Sequence, residues 1–271
     1  MAADVDTGLA ASGASSPAGT QTHTKTAGWQ HFPEGTLDKE IPTPTPTPDD
    51  SASNLLAPDL RTVPPKRLRL TYVAQSGRLL LRFDNTIYNS GSGALEVVGQ
   101  LEGNTDETMV HQRLYIRTGA TTERRVGEFT YHPGHFHWHM KNFALYEVLP
   151  VSAFGEPSAA VASNKKVGYC LMDLRLEGRL AGGSEPPRAQ YIGCDKEIQG
   201  ISVGWGDIYE YFRPDQWVDV TDLADGLFAL RSTVDPDNLL LEEDETNNTA
   251  IVFFSLRDQS VRILPGLRLP Y

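Results

Sequence analysis

Along most of this chain, apolar residues come in short runs. They alternate weakly with polar ones and stop at Gly, Asn, Asp or Pro. That rhythm marks half-buried strands, because a helix would repeat its apolar positions every three to four residues. Arg78-Leu79-Leu80-Leu81-Arg82-Phe83 predicts a strand, and Tyr88-Asn89-Ser90-Gly91-Ser92-Gly93 a turn after it. Further strands are predicted over 95–98, 111–116, 126–131, 142–149, 217–220, 227–234 and 250–256. No segment joins a sustained helical period to caps at both ends, and no internal repeat emerges. Short strands with turn residues between them predict an all-β chain, a β-sandwich with long loops. The stretch 187–214 is glycine-rich and aperiodic, and reads as a long functional loop region.

The pattern fails at one end. Residues 1–55 are rich in Ala, Ser, Thr, Gly and Pro, and include Pro42-Thr43-Pro44-Thr45-Pro46-Thr47-Pro48. Alternating proline favours extended chain without internal hydrogen bonds, so this segment is expected to be a disordered linker. Residues 56–271 are long enough to bury a sizeable core and form the expected folded domain. No apolar run reaches the ~18 residues of a membrane span. No charged n-region with an apolar core opens the sequence, so the chain is expected either to have lost an export signal or to be cytosolic. Proline-threonine spacers commonly precede exported domains, which favours a secreted protein. The net charge is −11, and Lys66-Arg67-Leu68-Arg69 is too short a basic run for a nucleic-acid binder. An acidic surface favours cationic partners, amines among them.

The chemistry concentrates in Tyr131-His132-Pro133-Gly134-His135-Phe136-His137-Trp138-His139, which holds four of the seven histidines. His135, His137 and His139 alternate. On an extended strand they would leave by one face, with Phe136 and Trp138 on the other. Neutral imidazole suits copper, zinc, iron or nickel. A flat strand would place the outer two about 13 Å apart, so the segment must curve for all three to reach one ion. The two cysteines, Cys170 and Cys194, form either one disulfide, implying an oxidising compartment, or two buried thiols. Glu242, Asp244, Asn247 and Asn248 gather oxygen ligands of the kind calcium takes. Asn247-Asn248-Thr249 also fits a glycosylation sequon.

Three further blocks complete the picture: Lys165-Lys166-Val167-Gly168-Tyr169-Cys170-Leu171-Met172-Asp173, Gln199-Gly200-Ile201-Ser202, and Asp207-Ile208-Tyr209. Together with His-x-His-x-His and the run Glu242 to Asn248, in this order, they resemble the catalytic domain of the lysyl oxidases, copper-dependent amine oxidases. The resemblance runs from near Pro58-Asp59-Leu60 to the acidic run. It implies that His135, His137 and His139 bind copper, and that Lys166 and Tyr209 become the lysine tyrosylquinone cofactor. The spacing to Cys170 favours Lys166 over Lys165. It makes Asp207 a candidate catalytic base, and pairs Asp59 and the Leu60 carbonyl with Glu242, Asp244, Asn247 and Asn248 at calcium. The implied reaction takes a primary amine, a small amine or a peptidyl lysine, and molecular oxygen to an aldehyde, ammonia and hydrogen peroxide. Animal relatives carry more cysteines, a histidine where Leu145 stands, and a shorter loop between the cofactor residues; the differences look like a prokaryotic branch. Two other readings use the same histidines: a non-catalytic metal-binding structural or adhesive module, and a three-histidine zinc hydrolase.

Overall fold

The computed structural model describes residues 54–100, 107–152, 155–177 and 188–266; the expected linker lies almost wholly outside them. Among the described residues there are strands, turns and loops but no helix. Fifteen strands form two antiparallel sheets.

The larger sheet contains β1 (Leu55–Leu56), β4 (Leu95–Gly99), β5 (Glu107–Ile116), β6 (Thr121–His132), β7 (His137–Pro150) and β8 (Ala162–Tyr169). It also holds β10 (Ile198–Ile201), β13 (Gly226–Val234), β14 (Thr249–Arg257) and β15 (Ser260–Ile263). Its order is β10-β4-β5-β6-β7-β13-β14-β15, with β1 on β5 and β8 on β7. The smaller sheet is β12 (Trp217–Asp219), β3 (Arg78–Asn89), β11 (Trp205–Tyr209) and β9 (Arg175–Leu176), with β2 (Leu60–Val73) against β3.

The sheets share one core. Leu81, Phe83 and Ile87 of β3 meet Val126, Phe129, Phe143, Tyr146 and Phe254 of the larger sheet in a single buried cluster. Burying each such side chain is worth about 1.5–3 kcal/mol. The edge strand β2 carries Pro64-Pro65 and a run of exposed Lys and Arg. Proline donates no ladder hydrogen bond, and register shifts occur there, between Val63 and Lys66 and between Lys66 and Arg69.

Two expectations need correction. The stretch 187–214 is not wholly loop, because it contains β10 and β11, which pair with β4 and β3. Both strands are short and interrupted by Gly200 and Gly206, so they carry no readable alternation. Tyr88-Asn89 belongs to β3, and the turn begins after it. Gly91 and Gly93 are needed in that turn. A Cβ on either would lie 2.4 Å or less from the backbone of residues 56–59, and no side chain could be tolerated there.

Candidate active site

The hairpin β6–β7 holds the histidines. His132 pairs with His137 as the last rung. The backbone amides of His135 and Phe136 donate to the His132 carbonyl at 3.0 and 2.9 Å, closing the turn. Phe136 adopts a left-handed backbone (φ 60°) and is 82% exposed. The three alternating histidines therefore do not share a strand face. His137 and His139 do, on β7, while His135 comes from the turn, which supplies the curvature a flat strand lacks. Phe136 projects into solvent instead of packing opposite.

His135 Nδ1 lies 3.2 Å from His139 Nε2, and His137 Nε2 lies 2.8 Å from it. Burial, reinforced by the neighbouring imidazoles, lowers His139 to about 3 and His135 to about 4, and His137 in the same direction. At neutral pH the rings are uncharged, and their nitrogens converge. Bonds of about 2.0 Å from one ion at angles of 90–105° would separate ligand nitrogens by roughly 2.8–3.2 Å, so this donor set fits a transition metal. His132 stacks on His139 (centroids 4.9 Å, 19°), with Nε2 3.1 Å from Asp215 Oδ2.

Beside the histidines sits Tyr209 of β11, nearly buried, its ring centroid 6.3 Å from that of His139. Its hydroxyl accepts the Cys170 amide at 2.8 Å, and its ring stacks on Tyr169 at 3.8 Å. The Tyr169 hydroxyl is hydrogen-bonded to that of Tyr146 and accepts from Asn85 Nδ2 at 3.2 Å. Tyr146 in turn donates to Gln216 Oε1. Burial raises all three tyrosine pKa values above the ordinary range, so each keeps its proton. Tyr169 falls within the lysine–cysteine block, but nothing in the sequence marks Tyr146 or Asn85 as its partners. Each stands in an ordinary strand, and only the fold brings them together.

Asp207 is fully buried, and neither carboxylate oxygen has a hydrogen-bond partner among the described residues. Burial pushes its pKa well above the carboxylate range. The Ile208 and Met172 amides and the Arg213 charge oppose this, although neither amide completes a hydrogen bond. Asp207 and Tyr209 line a cleft with His135, His137 and Arg213.

Lys165 and Lys166 lie on β8, but their side chains fall outside the described structure. Val167 and Gly168, next along the strand, line a second cleft shared with Tyr209 and His139. Cys170 and Cys194 are joined by a disulfide, with Cα atoms 5.4 Å apart. The Cys194 carbonyl accepts the Trp138 amide at 2.9 Å, between two of the histidines. The sequence blocks also bind one another. Gln199 Oε1 accepts the Leu171 amide, while its Nε2 donates to the Trp138 carbonyl. Asp173 accepts the amide and hydroxyl of Ser202.

At the far end, Glu242 accepts the Leu60 amide and Asn248 Nδ2, and Asn247 Nδ2 donates to Asp59 Oδ1 and Asp244 Oδ2. Asn247 Oδ1 and Asn248 Oδ1 are buried without partners, and burial raises Glu242 to about 8. Orphaned amide oxygens beside a buried carboxyl fit a hard cation such as calcium.

The fold is thus an antiparallel two-sheet domain whose hairpin histidines face a buried tyrosine. Residues 108–265, more than half of the chain, match the family model described as lysyl oxidase, and the chain belongs to that family. Among similar proteins, lysyl oxidase homolog 2 of Xenopus laevis is 32% identical over 172 residues, 63% of this chain and 18% of that protein. Homolog 2 of Gallus gallus is 29% identical over 179 residues, 66% and 18%. Lysyl oxidase homolog 1 of Homo sapiens is 32% identical over 120 residues, 44% and 19%. The chain spans under a fifth of the length of these relatives.

Proposed function

We propose that residues 56–271 form a secreted, copper- and quinone-dependent amine oxidase domain. It would convert a primary amine, oxygen and water into an aldehyde, ammonia and hydrogen peroxide. The observation that carries this reading is Tyr209, a buried tyrosine held between three converging imidazoles and the end of the lysine-bearing strand β8. His135, His137 and His139 would hold copper, which with oxygen supplies the oxidising power to turn Tyr209 and Lys166 into a lysine tyrosylquinone, a two-electron acceptor ordinary side chains lack. The disulfide supports an oxidising, extracellular compartment. Calcium at Asp59, Leu60, Glu242, Asp244, Asn247 and Asn248 would tie the start of the domain to its end.

The remaining residues have roles of their own. The Cys170 amide and the Tyr169 ring fix the orientation of Tyr209. Asp207 holds a proton at rest. A cationic amine bound beside it would lower its pKa and make the carboxylate the acceptor for the substrate α-proton. Walls built from Leu174, Ile208 and the disulfide limit water around these groups.

The test is aerobic copper loading of wild type and variants. Wild type should label with a carbonyl reagent and release peroxide from primary amines. Lys166→Arg and Tyr209→Phe should lose both and keep copper, whereas Lys165→Arg keeps all three. A copper-loaded wild type that neither labels nor makes peroxide with a broad amine panel would instead be a non-catalytic metal-binding module.

A further inference from the structure

The cleft that reaches Tyr209 and Asp207 contains a fixed cation with no role in the chemistry above. Arg213 lines it. Its backbone is anchored by donation of its amide to the Glu210 carbonyl at 2.9 Å, and by Arg82 Nη1 at 3.0 Å and the Gln216 amide at 3.4 Å on its own carbonyl. Its guanidinium is half-exposed. Its nearest carboxylate, Glu210 Oε2, is 3.7 Å away, too far for a hydrogen bond. Its Cζ also lies over the Phe212 ring, 5.7 Å from the centroid. It shares the cleft with Asp207 and Tyr209, the groups at which the amine would react. Asp207 is the single acid among the lining residues, and it is protonated. The chain as a whole carries −11, yet this cleft presents a positive charge over an apolar wall of Met172, Leu174 and Ile208.

We propose that Arg213 is a carboxylate subsite, and that the preferred substrates are primary amines carrying a carboxylate at the far end of an aliphatic stem. The planar guanidinium fork is built to take a carboxylate by two parallel hydrogen bonds. The amine end would lie at Tyr209 and Asp207, the stem along the apolar wall, and the carboxylate on Arg213. A diamine would place its second ammonium against the same positive charge. The carboxylate has two sources, a free ω-amino acid or an acidic residue flanking a peptidyl lysine. The inference rests on the amine oxidase reading for its kinetics, but not for binding.

Binding is tested first, with hexanoate, which has the carboxylate and no amine, titrated calorimetrically into copper-loaded protein. Wild type should bind it and not hexanol. Arg213→Gln should weaken it roughly 10–100-fold, the range of one charge-assisted hydrogen-bonded pair, while Arg213→Lys, which keeps the charge, loses less. In turnover, kcat/KM should fall in the order 6-aminohexanoate, hexylamine, 1,6-diaminohexane. Arg213→Gln should collapse the first ratio, whereas a purely structural defect would lower all three rates together. Comparing Lys-Asp with Lys-Gln peptides separates the two carboxylate sources. Equal hexanoate binding by wild type and Arg213→Gln, or an unchanged selectivity ratio, overturns the subsite. If no amine is oxidised, the amine oxidase reading fails and the hexanoate titration still decides the subsite.

Discussion

Removing calcium should make the domain's stability fall as pH rises, the reverse of ordinary acid denaturation, and Glu242→Gln should abolish most of that fall. Without a cation, Glu242 is a buried carboxyl whose pKa stands at about 8 against an ordinary 4.5, with burial the main cause and the Leu60 amide and Asn248 opposing it. The folded state therefore keeps a proton that the unfolded chain releases near pH 4.5. The contribution is fully present below that pH and disappears as pH climbs through 8. Each pH unit between the two values costs about 1.4 kcal/mol, or roughly 4 kcal/mol by pH 8. For a domain of this size that is a fall in Tm of roughly 10 °C. Asp235, raised to about 6 by burial, adds to the slope below pH 6. Calcium requires the ionised carboxylate, so it should restore most at pH 8, where the calcium-free protein is weakest. The assay is thermal unfolding from pH 5 to 8.5, in chelator and in millimolar calcium, for wild type and Glu242→Gln. In chelator at pH 8 the variant should melt above wild type; in calcium it should melt below it. A chelated wild type with a flat Tm from pH 6.5 to 8.5, or calcium stabilising the variant as much as wild type, would refute the reasoning.

Single His135→Ala, His137→Ala and His139→Ala variants should each lower copper per chain sharply in metal analysis, and unchanged stoichiometry would remove the ligand assignment. Denatured, unreduced protein should show no free thiol. Replacing Cys170 and Cys194 by serine should cost about 3 kcal/mol in urea unfolding, because the bond closes a loop of 24 residues. Tyr169→Phe should keep the stack on Tyr209 but leave the Tyr146 hydroxyl and Asn85 short of a partner, costing about 2 kcal/mol, read from the same unfolding curves.

How much of this was legible depends on whether a feature is local. Strands such as β13 and β14 announce themselves, since Leu227 to Val234 and Ala250 to Leu256 carry their own apolar runs. The histidine spacing was equally plain, yet its geometry was not. Alternation implies one strand face, whereas Pro133-Gly134 turns the chain and only then brings His135 back to His139. Strands β10 and β11 were invisible because a strand of four or five residues is defined by its partner more than by itself. Tyr146, Tyr169 and Tyr209 lie on three strands, and Arg213 looked like any surface arginine. Convergence of that kind is a property of topology, and no window of sequence contains it.

The hydrogen bond from the Leu60 amide to Glu242 crosses 182 residues of chain. A ribosome adding about 5–20 residues per second makes its two ends roughly 10–35 seconds apart. Through that interval β2 must wait without its late partners, because β13 and β14, which pack against it, are among the last strands made. The domain is thus exposed to misassembly for longest at β2. The contacts that end this exposure are formed by the same segment that gathers the oxygen ligands. A cation arriving with that segment would act as the latch on the assembled domain.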